Sequence, residues 1–133
     1  MKRRPLFLNL RSLIPLTIIV LAGLASMAKT FSIHASMIRD VELFLGGDWV
    51  LHSLISLLLG FSTCWSTPKY CFRNRSFFIP TFSLLVLFAV CADEFCQAIS
   101  PSRTFSLVDL SINVIGVLLG VLIYNVYLKV RGL

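Results

Sequence analysis

Four long apolar segments, separated by short polar stretches, occupy most of this 133-residue chain. They cover residues 12–28, 49–66, 77–92 and 110–128. Each has roughly 16–19 residues, close to the ~17–25 that an α-helix needs to cross a bilayer. Pro15 and Pro80 fall in predicted first turns, where a missing N–H costs little. The pattern predicts an all-α fold, a four-helix transmembrane bundle.

A shorter helix is predicted between the first two spans. In residues 36–47, SMIRDVELFLGG, the apolar positions recur with helical spacing: Met37, Ile38, Val41, Phe44 and Leu45. Ser36 can cap the start of this helix, and Gly46 with Gly47 can end it. We therefore expect an amphipathic helix lying in the membrane interface, with a turn-rich loop as the alternative.

Composition agrees with a membrane protein and excludes a soluble domain. The chain is 57% hydrophobic and 14% charged, with mean hydropathy +0.88. Soluble domains have about 25% charged residues, so this chain has too few to solvate a surface. The net charge of +6 fits topology and contact with membrane lipids. With no basic run and no recognition motif, no nucleic-acid partner is expected.

The basic residues predict the orientation of the spans. Nine lie in the N-terminal tail, the loop between spans two and three, and the C-terminal tail: Lys2, Arg3, Arg4, Arg11, Lys69, Arg73, Arg75, Lys129 and Arg131. Only Lys29, Arg39 and Arg103 fall on the other side. Because basic loops stay in the cytoplasm, we expect cytoplasmic tails at 1–11 and 129–133 around a membrane domain at 12–128.

An alternative reading concerns the first segment. The basic start MKRR, an apolar run and Ser26-x-Ala28 also resemble a signal peptide with its cleavage site. Cleavage there would leave three spans. With four spans, all six acidic residues fall in or beside the two outer connections, so the polar chemistry gathers at the extracytoplasmic face.

Cysteines and other reactive residues give no sign of a cofactor. Cys64, Cys71, Cys91 and Cys96 have no C-x-x-C spacing and no nearby His, so we expect free thiols and no metal site. Many serines are present, but there is no G-x-S-x-G nucleophile motif. Acid–base chemistry by Glu94 or His52 stays open as a hypothesis.

Two helix faces carry candidate chemistry. Asp109, Asn113, Gly116 and Gly120 are spaced by 4, 3 and 4 residues, which places them on one face of the fourth span. The two glycines predict close helix packing, and Asn113 can act as interhelical glue or in a site. Asp48 and His52 share a face one turn into the second span. There Asp48 can simply cap the helix, or it can orient His52 as a proton carrier or ligand.

A third group follows the third span. Asp93 and Gln97 share a face, whereas Glu94 is rotated by about 100° from Asp93, so the carboxylates need not converge. Arg103 lies between these acids and Asp109. It can form an internal ion pair, or it can bind a phosphate or carboxylate of a lipid-linked ligand.

Taken together, these motifs resemble the VanZ-like family of small integral membrane proteins over residues 40–125. The matching blocks are Asp48-x-x-x-His52, Asp93-Glu94-x-x-Gln97, Pro101-x-Arg103 and Asp109-x-x-x-Asn113-x-x-Gly116-x-x-x-Gly120. Family members often have Lys and an aromatic residue at the positions of Trp49 and Ser53, and Gly at that of Ser102. The Lys as a charge partner is thus absent here, and the turn before Arg103 is expected to differ.

The resemblance implies a protein of the bacterial cell envelope, in a family named after a protein associated with teicoplanin resistance. We expect an extracytoplasmic polar cluster of Asp48, His52, Asp93, Glu94, Gln97, Arg103, Asp109 and Asn113. The leading hypothesis is a non-enzymatic inner-membrane protein whose cluster binds a lipid-linked or surface glycan, or an envelope protein. The alternatives are an enzyme acting on a lipid-linked head group and a structural subunit of a membrane complex. The oligomeric state is not predicted.

Overall fold

The computed structural model describes residues 10–73, 75–101, 103 and 105–132. In this part of the chain there are five α-helices and no strand, which confirms the all-α prediction. The helices are α1 (Leu13–Thr30), α2 (Ala35–Leu45), α3 (Asp48–Ser66), α4 (Thr81–Ile99) and α5 (Leu107–Val130). Short 3₁₀ turns cover Leu10–Ser12 and Lys69–Cys71. The predictions that involve Lys2, Arg3, Arg4 and Ser102 fall outside the described residues.

Four of the helices have the length and composition to cross a membrane. Helices α1, α3, α4 and α5 contain 18, 19, 19 and 24 residues and are predominantly apolar. At 1.5 Å per residue they extend for about 27–36 Å. That range brackets the hydrocarbon core of a bilayer, which is about 30 Å thick. The predicted four-helix transmembrane bundle is confirmed.

Helix α2 is the predicted amphipathic helix, but it begins differently. Ser36 does not cap it. The N-cap is His34, in a left-handed conformation at φ 50°, and its side chain makes no capping hydrogen bond. In the turn after α1, just before this residue, the Ile33 amide donates to the Ala28 carbonyl at 2.8 Å. The end is as predicted, with Gly46 at φ 100°, a conformation that favours glycine.

Helix α4 lies further along the chain than the segment 77–92 predicted from hydropathy. Its start is later because Asn125 of α5 holds the extended chain before it. The Asn125 side chain accepts from the Phe78 amide and donates to the Phe78 carbonyl, both at 3.0 Å. Pro80 therefore precedes the first turn as an extended N-cap. The end is later because Asp93 and Glu94 find hydrogen-bond donors inside the bundle, so the helix need not stop at its first charges.

Helices α3 and α5 form the most extensive pair in the bundle, and glycines set their separation. A Cβ atom added to Gly120 would collide with the backbone of Leu57, and one added to Gly116 would collide with Ser56. Gly60 has the same relation to the Val117 backbone from the other side. Only glycine allows this close approach, so the Gly116-x-x-x-Gly120 pattern lies at a helix–helix contact.

One end of the bundle, where α3 ends and α5 approaches its own end, is filled by side chains. Five buried residues form this packed end: Cys64, Phe72, Val121, Tyr124 and Leu128. The Tyr124 ring contacts Phe61 edge-on, with centroids 5.4 Å apart, and also contacts Phe72. Aromatic pairs of this kind add to the stability gained from buried area. The packed end therefore anchors the turn between α3 and α4.

Candidate functional site

The opposite end of the bundle contains a cavity of about 350 Å³, lined by residues from all five helices. Its deeper wall is apolar and includes Ile19, Ile55, Leu59 and Val90. Its outer wall is polar and lies at the end of α1, the start of α3 and the end of α4. We call this region the cavity end. An apolar pocket with a few convergent polar groups is the usual form of a ligand site.

A chain of charged and polar groups crosses one side of the cavity. The Lys29 ammonium lies 2.6 Å from Glu42 Oε1 and 3.5 Å from Asp48 Oδ1. Asp48 Oδ1 in turn lies 3.3 Å from His52 Nε2. The other ring nitrogen of His52 lies 3.2 Å from Asn113 Oδ1. The chain thus joins α1, α2, α3 and α5, and it orients the imidazole from both sides.

A second group of polar side chains lies on the other side, between α1 and α4. The Ser26 hydroxyl contacts both carboxylate oxygens of Asp93, at 3.1 and 3.0 Å. The Gln97 amide donates to Asp93 at 2.9 Å. Arg103 Nη1 donates to the Ser26 hydroxyl at 3.1 Å and approaches the Ser26 carbonyl oxygen at 3.4 Å. Ser26 is therefore the residue that Asp93 and Arg103 share.

Arg103 forms no ion pair in the described part of the chain, so of the two alternatives for this residue the internal pair with a carboxylate is not formed there. Among the described residues, Lys29 pairs with Glu42 and Asp48, and the His52 ring lies beside Asp48; Arg103 takes part in none of these contacts. The Ser26 hydroxyl occupies the position between the guanidinium and Asp93. Asp93 is satisfied by neutral donors instead, and Arg103 remains a cation on the cavity wall.

Glu94 and Asp109 lie beside the cavity but do not line it. Glu94 is 1% exposed, and its Oε1 accepts a hydrogen bond from the Ser106 amide at 3.2 Å. The Ser106 hydroxyl in turn accepts from the Asp109 amide, which caps the start of α5. A buried carboxylate at a helix N-terminus is favourably placed with respect to the helix dipole. The carboxylates of Asp93 and Glu94 thus diverge, as their rotation on the helix suggested.

Six of the eight residues expected in the polar cluster line the cavity: Asp48, His52, Asp93, Gln97, Arg103 and Asn113. Sequence reasoning missed four further polar residues of the lining: Ser26, Lys29, Glu42 and Ser56. In the sequence, Ser26 stands out only as part of the cleavage-like motif. Lys29 stands out only through the charge distribution, although a cation at the end of a span needs a partner. Glu42 is four residues after Ile38, a spacing that placed it on the inward face of α2.

Lys29 also changes one inference drawn from the resemblance. Trp49 stands where relatives often have Lys, so the charge partner that this Lys would provide is absent from that position. Lys29 of α1 supplies that cation from a neighbouring helix. In the described part of the chain no group of three His, Cys, Asp or Glu side chains is placed to hold a metal ion, and all four cysteines are free.

Four membrane-spanning helices around a polar-mouthed cavity define the class of this molecule, a small multi-pass membrane protein. The family model described as VanZ/LLP1 matches residues 6–128, nearly the whole chain. The chain belongs to this family. No curated protein and no solved structure matches it.

Proposed function

We propose that this protein binds a lipid-linked component of the cell envelope in the cavity, without chemical turnover. The observation that supports the proposal is the two-part wall of the cavity. Charged and amide groups line the mouth, as a head group requires, and isoleucine, leucine and valine line the interior, as a hydrocarbon chain requires. A surface glycan attached to such a lipid would extend beyond the mouth.

The arrangement of polar groups favours binding over catalysis. Glu94 is buried, does not line the cavity and accepts a hydrogen bond from the Ser106 amide, so it is not available to a bound molecule as an acid or base. Both ring nitrogens of His52 are engaged by Asp48 and Asn113. Of the two candidate acid or base residues, His52 is thus the one that remains for the enzyme alternative. Release of a product from a defined lipid by purified protein, with loss of release in His52→Gln, would support that alternative.

We also propose that the protein lies in a bacterial inner membrane with both termini in the cytoplasm and the cavity end outside. The support is the distribution of Lys and Arg residues along the sequence. The cysteines offer a test. Cys96 is exposed near the cavity end of α4, and Cys71 lies in the turn after α3. In spheroplasts, a membrane-impermeant maleimide should label Cys96 and spare Cys71, with Cys96→Ser as the control. Labelling of Cys71 alone would reverse the orientation.

The cavity itself can be tested by filling it. Gly23 of α1 lines the cavity, and a Cβ atom added there meets nothing within 4 Å. Gly23→Leu should therefore occupy the space while preserving α1, since leucine is a better helix former than glycine. Thr17→Leu is the matched control, because Thr17 is exposed on the same helix and does not line the cavity.

Native mass spectrometry of detergent-purified protein gives the measurement. Wild type and Thr17→Leu should retain membrane lipids that Gly23→Leu loses by at least about tenfold, the effect of about 1.4 kcal/mol of binding free energy. Equal retention by the three proteins, each folded by circular dichroism, would contradict binding in the cavity.

A further inference from the structure

The charges on the cavity wall carry information about the ligand's head group. Two cations, Lys29 and Arg103, and three anions, Glu42, Asp48 and Asp93, line the cavity. Lys29 is already paired with both Glu42 and Asp48. That leaves Arg103 and Asp93, each without an ion-pair partner in the described part of the chain. The two unpaired charges have opposite sign.

These two charges are also neighbours with a fixed separation. Arg103 and Asp93 each contact the Ser26 hydroxyl, at 3.1 Å and at 3.0–3.1 Å. The Gln97 amide also donates to Asp93, at 2.9 Å. The site therefore presents a positive group and a negative group side by side, about one hydroxyl apart, at the mouth of an apolar cavity.

A head group with one kind of charge fits this wall poorly. An anion alone would be attracted by Arg103 but repelled by Asp93. A cation alone would be attracted by Asp93 but repelled by Arg103. Both effects are stronger in a half-buried site than in water, because the effective dielectric constant is lower. A head group that carries an anion and a cation a few bonds apart gains from both side chains.

Resting on the proposed function, we infer that the ligand is an amphiphile with a zwitterionic head group, a phosphodiester bearing a primary amine. The guanidinium of Arg103 binds the phosphate oxygens, for which its geometry is well suited. The carboxylate of Asp93 accepts hydrogen bonds from the ammonium. The hydrocarbon chain lies along Ile19, Ile55 and Val90 in the deeper part of the cavity. A volume of about 350 Å³ suits such a compact head group with the first part of one chain.

Binding of defined lipids to delipidated protein in a neutral maltoside detergent tests this inference. The probes share the same acyl chains and differ in the head group: phosphatidylethanolamine, phosphatidylglycerol and diacylglycerol. Free phosphoethanolamine, which has both charges and no chain, separates a lipid from a soluble ligand. Wild type should bind phosphatidylethanolamine at least tenfold more tightly than phosphatidylglycerol or diacylglycerol, and free phosphoethanolamine only weakly.

Two charge variants identify the residues that read the head group. Asp93→Asn should abolish the preference for phosphatidylethanolamine over phosphatidylglycerol while keeping the phosphate contact. Arg103→Gln should lower binding of both phospholipids about tenfold towards that of diacylglycerol, and Arg103→Lys should restore part of the loss. If Asp93 and Arg103 contributed only to stability, each substitution would weaken the binding of all the probes equally.

The outcomes separate this inference from the proposed function. Equal affinity for phosphatidylethanolamine and phosphatidylglycerol in wild type overturns the zwitterionic head group. Binding in the cavity would still hold if Gly23→Leu removed both lipids. Tight binding of free phosphoethanolamine would indicate a soluble ligand in place of a lipid, and it would overturn the inference that the ligand is an amphiphile. If Gly23→Leu leaves the binding of every probe unchanged, the proposed function itself fails.

Discussion

The packed end and the cavity end are built from the same transmembrane helices, and α5 carries one buried asparagine towards each. At the packed end, Asn125 makes three hydrogen bonds, two to the Phe78 backbone and one to the Val121 carbonyl. At the cavity end, Asn113 makes a single described hydrogen bond, to His52, at the edge of empty space. Both are 7% exposed. Burial is therefore equal, and what differs is how completely the protein satisfies each side chain.

The comparison suggests that the two ends have different tasks. At the packed end, Asn125 ties α5 to the chain before α4, and Ser83 ties α4 to Thr63 of α3. At the cavity end, polar groups are held in position by neighbours but face a volume that the protein does not fill. Unfilled space costs contact energy, so the packing at the cavity end contributes less to stability than the packing at the packed end.

The largest expected effect on stability comes from disrupting the close α3–α5 contact, which connects the packed end to the cavity end. In Gly120→Leu the new side chain would collide with the α3 backbone at Leu57, which cannot move aside. We expect a loss of at least about 3 kcal/mol in the free energy of unfolding, the upper range for overpacking. SDS-unfolding titration of purified protein measures it.

Gly23→Leu is the control for this experiment, because it is the same substitution at a glycine with open space around it. It should unfold like wild type. If Gly120→Leu also unfolded like wild type, the α3–α5 contact described above would not exist in the membrane protein.

The next largest effect on stability is expected from substituting the two asparagines, Asn125 and Asn113, and comparing the losses. Asn125→Leu leaves the Phe78 amide and carbonyl without their partner, which costs about 2–3 kcal/mol for buried groups. Asn113→Leu removes one hydrogen bond beside a cavity and should cost about 1 kcal/mol or less. The same unfolding titration measures both variants. Equal losses would remove the distinction between a structural end and a site.

A smaller effect is expected where α2 joins the cavity end. Lys29→Met removes the cation that holds Glu42, whose side chain is 11% exposed. A partly buried pair of this kind contributes about 1 kcal/mol, so hydrogen exchange in residues 35–45 should become about fivefold faster. Arg39→Met, on the exposed face of α2, is the control and should leave exchange unchanged. Global unfolding need not change, because α2 lies outside the transmembrane core.

How far the sequence predicts these features depends on the range of the interactions that produce them. Helical spacing is local, so the spans, the α2 helix and the shared face of Asn113, Gly116 and Gly120 could be predicted. The end of α4 could not, since it depends on donors from Ser26 and Ser106, far away in the chain. The partners of Lys29 depend on how α1 and α2 pack. The spacing of residues along the sequence does not predict how these two helices pack.

The smallest expected change in stability, and the sharpest test of the comparison, comes from two serines. Ser83 at the packed end is 1% exposed and shares a 2.7 Å hydrogen bond with Thr63, so Ser83→Ala should cost about 1 kcal/mol. Ser26→Ala should change the unfolding free energy by only about 0.5 kcal/mol, because Asp93 still accepts the hydrogen bond from the Gln97 amide.

However, without the Ser26 hydroxyl between them, Arg103 and Asp93 can form a direct ion pair, in which their charges cancel. Ser26→Ala should therefore lose the preference for a zwitterionic lipid while remaining folded, and Ser83→Ala should keep that preference despite its lower stability. The reverse pattern would show that Ser26 serves structure alone.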